Sequence, residues 1–345
     1  MELRQLVSRI ARQVGALLFG LLLFLIFVAV QGRNPLAVLS DLAFGAFGNS
    51  FSWQNTLVRT APLLLTALCT IVPAQAGIVI IGNEGALLMG GLGAVLGSMA
   101  FGFLPPAAGI PVILIAGSLL GAIWISLSGI LRQARGVDPT ISSLLLHYVG
   151  LAIFLFLVEG PLRDPATLNK PSSWSIPEAL RIGRLGSSDV HVGLVLGLIA
   201  CLGMWVLLKY SAWGFGVRIA GGNPRTAAMM GLPRNSPVIA VCAIGGACAG
   251  LAGAVEVSAI HYNANASLAS GYGFSGILVA FAARQNPLAA IPVSLLLGGL
   301  HAAGGILQRR HGLSDASINV LQGLMFLAIL MADGWGASTR RTAKG

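Results

Sequence analysis

TIVPAQAGIVIIGNEGALLMGG, Thr70 to Gly91, is apolar enough to lie in hydrocarbon. Yet Pro73, Gly77, Gly82 and Gly85 interrupt it, and Asn83-Glu84 stands near its centre. Proline removes a helix N–H and crowds the preceding turn, and glycine weakens a helix interior. Irregular backbone at membrane depth persists only where protein or a water-filled cavity meets its N–H and C=O groups. The stretch therefore predicts a broken helix inside a bundle. It also sets a question: what makes a carboxylate worth keeping there?

The rest of the chain supplies the bundle. Its 345 residues are 56% hydrophobic and 9% charged, with a mean hydropathy of +0.84, whereas soluble domains carry about 25% charged residues. Apolar runs long enough to cross ~30 Å of hydrocarbon recur from end to end. They are continuous and rich in Leu, Gly and Ala, unlike the short alternating segments of a transmembrane barrel. The expected fold is all-α, a polytopic membrane protein of about ten transmembrane helices, with broken helices whose placement suits an inverted repeat, forming one transmembrane domain over residues 1–345. The spans fall at roughly 14–30, 56–76, 85–103, 109–131, 139–158, 191–208, 237–260, 272–284, 288–307 and 315–333. The first is read as an uncleaved helix, because it exceeds a signal-peptide apolar run and VAVQGRNP (Val28–Pro35) lacks a small-x-small cleavage site. The glycine pairs Gly93/Gly97, Gly117/Gly121, Gly193/Gly197 and Gly246/Gly250 have the spacing that lets helix backbones approach closely, although 46 glycines make such pairs common.

A net charge of +10 would suggest nucleic acid in a soluble protein. Here it reflects the bias that leaves Lys and Arg on cytoplasmic segments, and no nucleic-acid partner is expected. With the N-terminus inside, ten spans return the C-terminus inside. Of the 21 basic residues, Arg33, Arg59, Arg163, Lys170, Arg181, Arg184, Arg309 and Arg310 then fall at the outer side, and the other thirteen are cytoplasmic. Cys69, Cys201, Cys242 and Cys248 lie inside apolar runs without CxxC spacing, and read as small buried thiols.

Two polar connections stand out. Residues 159–190 are Pro-rich and too polar for lipid, and form a long extracytoplasmic loop of the kind that usually has a function. Residues 209–235 form a cytoplasmic segment in which Asn223-Pro224 opens a short helix that Gly231 ends. That helix suits either a cytoplasmic partner or the anionic lipid surface. A second interrupted region, Ala259 to Pro287, is polar first and then a short span. Interrupted segments in matching places of two halves point to a transport path. Asn83 and Glu84 in the first half, with Tyr272 and Ser275 in the second, are the path candidates. Glu84 has two readings, a cap at a helix N-terminus or a substrate contact. His147, Glu256, His261 and His301 are singletons without metal-ligand spacing, and Gln322 and Asp333 read as packing and interface groups.

GFSG, Gly273–Gly276, matches the GxSG of intramembrane serine proteases, with His301 on the next helix. Four residues in a Gly-rich chain are weak support, and such a protease gives the cytoplasmic segment no role. HExxH, CxxC and the GxxxxGK[ST] phosphate loop do not occur. No catalytic residue, metal or cofactor is expected in this chain.

The run GVRIAGGNPRTAAMMGLP, Gly216–Pro233, resembles the cytoplasmic coupling segment of ABC importer permeases of the ribose, nucleoside and branched-chain amino acid branch. The matching positions are Gly216, Arg218, Ala220-Gly221, Asn223-Pro224, Ala227-Ala228 and Gly231. Ile80 to Gly90 is similar to the Asn-Ile-Gly-x-Glu-Gly-x-x-Leu-Met-Gly signature of the nucleoside/simple-sugar subgroup, with Ile80 in place of Asn and Ala86 in place of the usual Gln. Gly160–Gly183 looks like the external loop of the larger of two paired permeases, and Arg284–Gly304 and Ile318–Leu330 match the family's last third. The resemblance implies a permease in a bacterial cytoplasmic (inner) membrane. Its partners would be ATP-binding cassette ATPase subunits that bind the ATP, a second, shorter permease, and an external substrate-binding protein or lipoprotein. An ion-gradient-driven secondary transporter with Glu84 or Glu256 as proton carrier is the alternative that broken helices also allow.

Overall fold

The computed structural model describes residues 2–167, 169–223, 227, 229, 236–314 and 316–342. Among them are twelve α-helices: α1 Glu2–Val30, α2 Pro35–Phe47, α3 Ser50–Ala74, α4 Asn83–Phe101, α5 Pro106–Arg135, α6 Pro139–Glu159, α7 Gly193–Tyr210, α8 Ala212–Gly222, α9 Ser236–Glu256, α10 Tyr272–Ala282, α11 Pro287–His311 and α12 Ala316–Thr342. Eight are long and apolar enough to cross a bilayer, counting α9 with the π-helical turn Val257–His261 that extends it. Each of the ten expected spans falls largely on a helix, but only eight helices have the length and apolarity of a span. α10 has eleven residues, about 16 Å of helix against ~30 Å of hydrocarbon, and the last expected span falls on α12. The connection after the first span also contains α2, which sequence reading missed. Asn34 starts it, accepting from the Leu36 and Ala37 N–H groups, with Pro35 in the first turn.

Local chemistry sets the other ends too. Gly136 closes α5 in the left-handed region (φ 69°), its N–H bonding to Arg132 O. Asp138 then caps α6 through the Thr140 N–H at 2.7 Å. That N–H, the largest cause, holds the Asp138 carboxyl below its ordinary value. A carboxylate with a lowered folded-state pKa stabilises above the unfolded value and loses that contribution as pH falls through the folded one. The melting-temperature difference between wild type and Asp138→Ala should therefore be present at neutral pH and vanish on acidification below the usual carboxylate range.

The chain forms two compact units, 1–59 with 296–345, and 60–295. In the first, α1 packs on α12, and a Cβ at Gly20 would lie 2.6 Å from the Met325 backbone. There the Asp41 carboxylate is held by Arg310 and by His311 Nε2 at 2.7 Å. In the second, α4, α5 and α9 pack closely on one another. A Cβ at Gly121 would lie 2.5 Å from Gly246 O, one at Gly117 2.6 Å from Gly90 O, and one at Gly250 2.9 Å from the Gly121 Cα. Gly93 meets Ala116 O at 2.8 Å in the same sense. Three of the four glycine spacings thus mark backbone-on-backbone contacts of this trio, where side chains are excluded rather than merely absent. Gly193 and Gly197 meet side chains of Val255, His191 and Leu64 instead.

Candidate functional site

The site is built where α3 breaks. Gly77 (φ 70°) ends α3, with its N–H bonded to Ala74 O at 3.0 Å and the Ile78 N–H to Pro73 O at 3.1 Å, the paired closure of a helix by a left-handed glycine. Residues 78–82 then run without helix. Their polar groups are met by hydroxyls of neighbouring helices: Thr140 Oγ1 donates to Val79 O at 3.1 Å, Thr70 Oγ1 to Ile80 O at 3.0 Å, and Ser143 Oγ accepts from the Ile81 N–H at 3.1 Å. This is how non-helical backbone persists away from water.

α4 begins at Asn83, which is fully buried and donates from Nδ2 to Thr66 O (3.0 Å) and Thr70 Oγ1 (2.9 Å). Glu84, 2% exposed, answers the question its sequence raised. One carboxylate oxygen accepts the Gly271 N–H at 2.8 Å, and the other accepts the Gly273 N–H. These N–H groups open α10, which has no side-chain cap of its own. Glu84 is itself in the first turn of α4. The backbones touch, since a Cβ at Gly273 would lie 2.5 Å from Glu84 Cα. The carboxylate thus stands where the positive ends of two helix dipoles meet, and it satisfies donors that α10 could not satisfy alone. Of the two readings of Glu84, the geometry is that of a cap, and the helix it caps lies 187 residues away.

Thr66 Oγ1 closes the cluster on Tyr272 O at 3.1 Å, and Ser275 Oγ donates to Gly271 O at 3.0 Å. Asn83, Glu84, Tyr272 and Ser275 are therefore brought together, all buried; the bonds at Asn83, Glu84 and Tyr272 join helices, and that of Ser275 stays at the start of α10. Sequence reading missed the hydroxyls. Thr66 and Thr70, one turn apart in an otherwise apolar stretch, were the available signal.

The second broken region is laced to the 159–190 loop. The Ser173 N–H bonds to Ala264 O (2.8 Å), the Ile176 N–H to Tyr262 O (2.7 Å) and the Ile182 N–H to Ser258 O (3.1 Å), while the Arg181 guanidinium lies 4.3 Å from the Tyr262 ring centre. His261 Nε2 is 3.9 Å from Glu256 Oε2, so two residues read as singletons face each other. Among the described residues no group of three His, Cys, Asp or Glu side chains could hold a metal.

In the 209–235 segment Ser211 caps α8 through the Gly214 N–H at 3.0 Å. Gly216 is buried, Arg218 is exposed, and Gly221 rests on the turn after α3, where a Cβ would lie 2.5 Å from Gln75 O. Asn223 O accepts the Ala227 N–H at 3.1 Å, and Ala227 is buried. Pro224, Ala228 and Gly231 lie outside the described residues.

Multiple apolar spans around two interrupted helices, the first break bonded to hydroxyls of neighbouring helices, define a polytopic membrane transport protein. Residues 52–330 match the family described as branched-chain amino acid transport system, permease component, and the chain belongs to that family. It is similar to the glucose ABC transporter permease protein TsgB13 of Haloferax volcanii, 29% identical over 83% of this chain and 77% of that one. It is also similar to two guanosine ABC transporter permease proteins of Bacillus subtilis. NupP is 26% identical over 91% of both chains, and NupQ is 28% identical over 70% of this chain and 78% of its own.

Proposed function

We propose that this chain is the membrane-spanning subunit of an ATP-driven importer for a nucleoside or simple sugar. It would form the translocation path and take its energy from separate ATPase subunits. The observation that carries the reading is the family match over 52–330, which runs through the 216–231 segment and the broken helix at Glu84. The relatives named above support the solute class, since their names specify glucose and guanosine. NupP aligns along nearly the full chain and NupQ along less of it, both from one organism. This supports a heterodimer in which the present chain is the longer permease. The 159–190 loop would receive an external binding protein, and both termini would face the cytoplasm of a bacterial inner membrane. Glu84 would frame the path rather than bind solute, because both its oxygens accept backbone N–H groups, and Asn83, Tyr272 and Ser275 would line the path beside it.

In this reading ATP binding closes the ATPases against the 216–231 segment, and the permeases rock between outward- and inward-facing states. A machine of this kind needs contacts that differ between its states. Arg218→Glu reverses an exposed charge on the docking face, and Gly221→Pro breaks the last turn of α8 and fills the contact with Gln75. Each should abolish ATP-dependent uptake by the purified complex while leaving membrane insertion intact. Wild-type uptake by either variant would show that the segment does not couple.

A further inference from the structure

Two helices end side by side beneath the Glu84 junction. α3 closes at Gly77. α10 closes through the Arg284 N–H on Phe281 O (3.0 Å) and the Gln285 N–H on Ala280 O (2.9 Å), with Arg284 and Gln285 both in the left-handed region (φ 52° and 60°). Carbonyl-rich helix ends carry partial negative charge and repel each other. One side chain bridges them. Gln75 Nε2 donates to Gln285 O at 3.0 Å and to Ile71 O, in its own helix, at 3.4 Å.

The same turn bears the load of α8. A Cβ at Gly221 would lie 2.5 Å from Gln75 O and 2.6 Å from the Ala76 carbonyl carbon, and one at Gly77 would lie 3.1 Å from Gly221 O. These are backbone-on-backbone contacts with no side chain between to absorb a displacement, and packed protein compresses little. The Gln75 amide then joins the loaded turn to the turn that closes α10. The first turn of α10 is fixed to α4 by Glu84. A shift of α8 therefore reaches α10 at one end while the other end stays tied.

We propose that Gln75 is a positioning residue for transport: the 75–77 turn receives the movement of the coupling segment, and the Gln75 amide passes it to α10. This rests on the importer reading above. The residue type fits the task, because an amide offers two donors without charge. A carboxylate in its place would face the Ile71 and Gln285 carbonyl oxygens, whereas a lysine would return a donor that the helix ends favour.

The test uses the whole importer, both permeases with ATPases and binding protein, in proteoliposomes, with radiolabelled guanosine and glucose as probes. Hydrolysis and uptake are measured on the same vesicles. If wild-type vesicles accumulate neither probe in an ATP-dependent way, the importer reading fails and the relay falls with it. Given an active wild type, Gln75→Ala should lower solute moved per ATP by about tenfold, within the usual range of coupling between sites, while basal hydrolysis stays near the wild-type rate. Gln75→Glu should fall at least as far, and Gln75→Lys should recover most of the ratio. An unchanged ratio in Gln75→Ala overturns the relay, and so does a parallel loss of hydrolysis and uptake, which a purely structural bond would give.

Discussion

Glu84→Ala is expected to destabilise the protein by at least about 1–3 kcal/mol, because it strands the buried N–H of Gly273 at that cost and the half-buried N–H of Gly271 besides. Water is not there to replace the acceptor lost to Gly273, since Glu84 and Gly273 are both buried. The loss is large against a total stability of about 5–15 kcal/mol. Glu84→Gln should fall between wild type and Ala. Its amide oxygen accepts one N–H, but its NH2 confronts the other. Glu84→Asp should resemble Ala, because the shorter arm reaches one donor at most. Melting of the purified protein in detergent ranks the four. A Glu84→Ala variant that melts with wild type would show that the N–H groups of Gly271 and Gly273 find other acceptors, and the cap would then be incidental.

Gly253→Leu should be at least as damaging. A Cβ at Gly253 would overlap Leu87 O and sit 2.7 Å from the Gly91 N. Overpacking a core that can shift its side chains costs about 1–3 kcal/mol. Here the obstacle is the backbone of α4, so only separation of the two helices relieves it, and the cost should exceed that range. Gly203→Leu on α7 is the control, because nothing lies within 4 Å of a Cβ there. Size-exclusion profiles of the two variants should separate clearly, with Gly203→Leu monodisperse and Gly253→Leu aggregated or absent. Equal profiles would mean that α9 and α4 can part without loss of the fold.

The class of fold was open to reading along the chain because its cause is local. Some twenty apolar residues in a row have few stable places other than a bilayer, so the positions of the eight span-length helices followed from composition. The breaks were visible for the same reason, as Pro73, Gly77 and Gly82 act on their own backbone. α2 escaped because thirteen residues among polar neighbours are too few for a span, and its Asn34-Pro35 start looks like any turn.

The purpose of Glu84 was not legible. Sequence reading reached the idea of a cap at a helix N-terminus and stopped short of the partner, because a cap normally serves the residues that follow it. Only the tertiary structure brings Gly271 and Gly273 to that carboxylate from the far half of the chain. It likewise separates glycines that merely enrich a membrane protein from those at which another backbone passes within van der Waals range. Solvent preference and backbone freedom belong to single residues and are written in their order. Satisfaction of a buried polar group depends on what the folded chain places beside it, and in this protein that placement turns an acid in an apolar run into the joint between two half-chains.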